Sequence, residues 1–143
     1  MKQANTITIV LAVLGLAISS YLLTVHWGWW SAVCLGVGNC EAVNTSRWSE
    51  LLGIPVALLG GLTYIALIAL GIAVRQDIYA ETARLLRFFI AAVGVAFSAY
   101  LTYIELYVLH EICPWCVMSA IIISLIAILS ILDYRQPIEA EPA

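Results

Sequence analysis

Apolar residues run along this chain in four long blocks, about residues 7–25, 55–74, 85–109 and 113–132. Shorter stretches between them bring back polar residues, glycine and proline. Each block approaches or exceeds the roughly 20 residues that an α-helix, rising about 1.5 Å per residue, needs to cross a hydrocarbon core. Lipid offers no partner to backbone N–H and C=O groups, so such segments must be helical. The pattern predicts an all-α membrane protein, a compact four-transmembrane-helix bundle forming a single domain over residues 1–143. The third block carries Ser98, Thr102 and Glu105, so its outer turns either reach the headgroups or line a cavity.

Composition agrees. Hydrophobic residues make up 64% of the 143 positions and charged residues 10%, with a mean hydropathy of +1.03, values that exclude an ordinary soluble domain. The net charge of −3 says little, because charge in a membrane protein is read loop by loop, and nothing points to nucleic acid. The first block follows Lys2, as a secretory signal would. Its apolar core is longer than the usual 7–15 residues and no clear small-residue cleavage site follows, so it is expected to stay as a span. A lipoprotein cleavage site at Cys34 fits poorly, with Val33 where a small residue belongs.

Basic residues set the orientation. Lys2, Arg75, Arg84, Arg87 and Arg135 fall on one face of the predicted bundle, and Arg47 alone on the other. Both termini are therefore expected in the cytoplasm of a plasma (inner) membrane, with residues 27–54 and 110–112 outside. Arg75, Asp77, Glu81, Arg84 and Arg87 read as a solvated cytoplasmic loop, and residues 136–143 as a disordered tail. Trp27, Trp29, Trp30, Tyr103 and Tyr107 suit an aromatic belt at the outer interface. His26 and His110 read as partly solvated anchors there.

The outer loop is the one long connection, and long loops are often functional. Gly36 and Gly38 let it bend. Residues 41–52 contain Thr45, Ser46 and Ser49, which can cap a short helix. Trp48, Leu51 and Leu52 would make that helix amphipathic, lying on the membrane surface as a connector or as a lid over a pocket. Gly53-Ile54-Pro55 then turns the chain into the second span.

Into this frame fall four cysteines, all on the predicted outer side, where disulfides persist in bacteria. Cys113-Pro114-Trp115-Cys116 is a C-x-x-C motif opening the last helix. A helix N-terminus carries about half a positive charge, which favours thiolate, and Pro114 suits a first turn because it has no N–H to leave unpaired. Cys34 and Cys40, with five residues between them, would be a simple loop staple if they stood alone. Two pairs on one face allow a relay by thiol–disulfide exchange, in which a thiolate attacks a disulfide sulfur. The rivals are a cysteine-based heavy-metal binding or transport protein and a structural subunit with passive disulfides. The five-residue spacer exceeds the usual C-x₂₋₄-C of zinc sites, so no metal is expected. Covalent haem is excluded because Val117, not His, follows Cys116.

The order Cys34-x5-Cys40, Ser46-Arg47-Trp48, Gly53-Ile54-Pro55 and Cys113-x-x-Cys116 resembles the vitamin K epoxide reductase family, bacterial type, over nearly the whole chain. The disulfide bond formation protein B family also has four spans and two outward pairs, but in the reverse order. The resemblance implies a membrane thiol:quinone oxidoreductase that drives disulfide bond formation. Cys34 would meet a thioredoxin-like periplasmic thiol protein, Cys40 would pass electrons to Cys113, and Cys116 would reduce a quinone such as ubiquinone or menaquinone. It further implies that Ser46 lies near the quinone, with Trp48 in a lid helix above it. A tyrosine that the animal enzymes carry four residues after the last cysteine is Ala120 here, and an asparagine of their second span has no counterpart. Both departures count against epoxide reduction and leave quinone reduction in place. No thioredoxin-like domain follows the fourth span, so such a partner is expected to act in trans. Tyr64, Phe97 and Tyr100 read as helix or lipid contacts, and Gly60 and Gly61 as sites of close helix packing.

Overall fold

The computed structural model describes residues 2–27, 50–51, 53–110 and 114–135. Four long helices dominate: α1 (Lys2–His26), α2 (Val56–Arg75), α3 (Ala80–Tyr103) and α4 (Pro114–Arg135). A π-helical segment, Ile104–Leu109, continues α3. Each helical run is long and apolar enough to cross a membrane. Tyr103 and Tyr107, with ring centroids 5.0 Å apart, and half-exposed Trp27 are all at the end of the bundle that carries Cys116.

Around the bundle, α1 packs on α2 and α4, and α3 on α2 and α4. Neighbours run antiparallel: Asn5 meets Gly71 and Gly60 faces Ser19, while Arg87 meets Asp133 and Gly94 faces Ile123. The core lies on the bundle axis, built from Ala12, Ile18, Leu22, Tyr64, Leu67, Ala91 and Ile122, Ile123 and Ile126. Large apolar side chains such as Val10, Leu62, Ile121 and Ile128 point outward, the arrangement expected of a lipid-facing surface.

Without a hydrophobic drive between helices in lipid, close approach depends on small residues. Gly60 serves this role: a Cβ there would sit 3.1 Å from Ser19 Oγ. Three tighter contacts were not singled out by the sequence, one of them at Gly94, where a Cβ would lie 2.8 Å from Ile123. A Cβ at Gly71 would lie 2.7 Å from Ile9, and one at Gly15 would overlap the Tyr64 ring. Intramembrane hydroxyls turn back on their own helices, as Thr8 does to the Ala4 carbonyl and Ser130 to that of Ile126. This satisfies a donor that lipid cannot.

Helix ends differ from the sequence reading in a consistent way. The third helix begins at Ala80, so Arg84 and Arg87 belong to it and not to a solvated loop. Arg87 is 1% exposed. Its guanidinium donates to Asn5 Oδ1 at 2.7 Å and to Asp133 Oδ2 at 2.6 Å. Asn5 donates in turn to the Gly71 carbonyl at 3.0 Å, and Arg84 Nε stands 3.4 Å from Asp133. One polar clasp thus joins all four helices at the end opposite Cys116. It pays for burying an arginine by pairing it.

Before α2, Glu50–Leu51 (β1) pairs antiparallel with Ile54–Pro55 (β2). Gly53, at φ 83°, supplies the left-handed residue of the turn, a conformation costly for other residues. Leu51 is therefore in a strand, and the amphipathic helix expected over residues 41–52 does not extend through it. The rest of that segment, and the tail over 136–143, lie outside the described residues. Pro55 stands just ahead of α2 at its N-cap.

Candidate functional site

Pro114, Trp115 and Cys116 form the first turn of α4. Proline's φ is preset for a helix start, so the motif itself fixes where the helix begins. Trp115 packs against Tyr21 of α1, with ring centroids 5.3 Å apart, and this contact holds the turn against the bundle. Cys116 is half-buried and lies on the wall of a cavity of about 570 Å³ between the four helices. That volume falls within the range of small-molecule sites.

The cavity follows α3 from Phe89 to Leu109, with α2 opposite from Val56 to Tyr64, α1 contributing Ser19, Leu22 and His26, and α4 contributing Cys116, Ser119, Ala120 and Ile123. Its α-helical wall from Phe89 to Tyr103 alone measures about 20 Å at 1.5 Å per residue. Most of the wall is apolar. The polar groups are few: His26, Glu105 and Cys116 at one end, and Tyr64, Ser119 and a few hydroxyls deeper in. Tyr64 Oη lies 2.8 Å from Ser119 Oγ and donates to the Ser119 carbonyl at 3.0 Å. Ser119 is one turn beyond Cys116, so this bond ties α2 to the cysteine's own helix face.

At the Cys116 end, α3 widens into a π-helix. The His110 N–H reaches the Glu105 carbonyl, five residues back, and His110 closes the segment in a left-handed conformation. The five-residue period keeps both Ile104 and Leu109 on the cavity wall. Glu105 beside them is 5% exposed. His26 also faces this end, and its Nε2 lies 3.1 Å from the carboxylate of Glu50.

Of the residues the sequence singled out, Cys116 is brought to the cavity. Cys34, Cys40, Ser46, Trp48 and Cys113 lie outside the described residues. Tyr64 and Phe97, read as packing residues, line the cavity, whereas Tyr100 is exposed. His26, read as a partly solvated anchor, contributes to the wall as well. Ser119 was missed, although its spacing of three from Cys116 places it on the same helix face. Among the described residues no three His, Cys, Asp or Glu side chains are grouped to hold a metal.

Four helices long and apolar enough to span a membrane surround an apolar cavity, and a cysteine from a C-x-x-C helix start stands in its wall. Residues 6–131 match the model of the vitamin K epoxide reductase family, and the chain belongs to that family. It is accordingly a multi-pass membrane oxidoreductase of a family that works through thiols, is linked to quinones and uses thiol-redox partners.

Proposed function

We propose that this protein takes electrons from a thioredoxin-like thiol protein outside the membrane and passes them to a membrane quinone, so that disulfides form in exported proteins. The observation that carries this reading is the position of Cys116: a half-buried sulfur at a helix N-terminus, opening onto an apolar cavity. A lipid-soluble ring and its apolar chain suit such a wall, with the few polar groups left to orient the ring.

In this scheme Cys34 exchanges with the reduced partner, and Cys40 passes the electron pair to Cys113. Cys113 and Cys116 then close a disulfide as the quinone becomes hydroquinone. Two thiols lose two electrons and two protons, and the quinone gains both. Ser46 and Trp48 border the ring from the loop. The cysteines face the extracytoplasmic side of the plasma membrane and both termini the cytoplasm, in keeping with the distribution of Lys and Arg. No metal takes part.

The test uses purified protein in lipid vesicles, supplied with a reduced thioredoxin-like protein and a short-chain quinone. Wild type should form hydroquinone and Cys116→Ala should form none. Full turnover in Cys116→Ala would refute the assignment.

A further inference from the structure

Resting on that proposed reaction, we infer that Glu105 is a catalytic residue that exchanges a proton with the quinone oxygen during reduction. Three observations converge on it. The residue is only 5% exposed yet lines the cavity that holds Cys116. It sits in the π-helical segment Ile104–Leu109, a rare backbone form frequently found at functional sites. A carboxyl group within a membrane span is also expensive unless it is used.

The chemistry needs such a group. The dithiol gives up two electrons and two protons, and the two quinone oxygens take up two of each. Water is scarce in an apolar cavity, so a proton must be handed over by a side chain in its wall. Among the described residues, the titratable groups of that wall are His26 from α1, Tyr64 from α2, Glu105 from the end of α3 and Cys116 from α4. The Tyr64 hydroxyl lies deeper in the cavity, against Ser119, and Cys116 is the electron donor, so the proton carriers at the Cys116 end are Glu105 and His26. Glu105 gives its proton to a quinone oxygen as the electron pair arrives, and its carboxylate then takes up a proton released by the thiols. His26, bonded to a Glu50 carboxylate whose side chain is 48% exposed, links the same cavity end to water and exchanges the second proton.

The experiment compares wild type, Glu105→Gln, Glu105→Asp and Cys116→Ala in vesicles with a short-chain quinone and a small dithiol as reductant. General acid catalysis contributes about 10²–10⁴-fold. Glu105→Gln should therefore lose at least about 100-fold in kcat with little change in KM, and one limb of the pH–rate profile should vanish. Glu105→Asp should keep that limb. A second readout needs no turnover: an apolar carbodiimide should modify Glu105 of the wild-type protein, and the quinone should block the modification. Wild-type kcat and pH profile in Glu105→Gln, with Cys116→Ala inactive, would overturn the proton role and leave the oxidoreductase reading standing. Activity in Cys116→Ala would instead sink that reading. If Glu105→Gln fails to fold, the labelling decides: modification that the quinone does not block overturns the role.

Discussion

Neutralising Asp133 should destabilise this protein without touching its chemistry. The carboxylate lies 2.6 Å from the Arg87 guanidinium and 3.4 Å from Arg84 Nε, and the side chains of Arg87 and Asp133 are almost fully buried. At an effective dielectric of about 20, unit charges at this separation attract by about 6 kcal/mol. Desolvation offsets part of that while both charges are present. Removing one partner exposes the cost of the other, about 3–5 kcal/mol. Asp133→Asn keeps an oxygen for Arg87 to bond, so the loss should fall near the lower end of that range.

The double variant Arg87→Met/Asp133→Leu removes both charges and should recover most of the loss. Arg84 is partly exposed and its guanidinium can reach water. Recovery should be incomplete, because Asn5 Oδ1 loses its donor. Reversible unfolding in bicelles reads the stability, and quinone reduction per folded molecule reads the chemistry. Asp133 and Cys116 are about 25 Å apart along α4 at 1.5 Å per residue, so activity per folded molecule should not change. A loss below about 1 kcal/mol in Asp133→Asn, or a double variant no more stable than the single, would refute the reasoning.

Further outcomes follow from the cavity and the relay. Gly15→Ala should reduce activity as well as stability, because its methyl group overlaps the Tyr64 ring and forces it from Ser119; an unaltered thermal midpoint would contradict this contact. Tyr64→Phe should cost only about 0.6 kcal/mol, the typical value for an interhelical hydrogen bond in lipid, read by the same unfolding assay. Cys34→Ala should block oxidation of a protein partner while sparing reduction by a small dithiol; equal loss with both reductants would show the relay order to be wrong.

How far the fold could be read from sequence depended on whether neighbours in sequence or neighbours in space decided the matter. The four spans were legible because hydrocarbon demands long apolar helices. The ends were not. Arg87 looks like a loop charge until it meets Asn5, 82 residues away, and no local pattern announces that pairing. Glu105 shows the same ambiguity: a carboxyl near a helix end reaches water or a cavity according to how the final turn winds, and the π-helical winding settled it. Cys116 was legible because the proline of its own motif starts the helix that presents it. Leu51 fits an amphipathic helix by spacing, yet the turn at Gly53 folds it into a strand against Ile54.

The account turns on electrons leaving through Cys116 into the cavity, and a single-turnover experiment tests this most directly. Protein carrying Cys34→Ala and Cys40→Ala, so that the loop pair cannot reduce Cys113 and Cys116 again, is reduced beforehand, freed of reductant and mixed rapidly with a short-chain quinone, and thiol loss and hydroquinone are followed together. The account predicts a hydroquinone burst matched by one disulfide between Cys113 and Cys116, absent in Cys116→Ala. A burst of the same size in Cys116→Ala, or hydroquinone formed with both of these thiols still reduced, would contradict it.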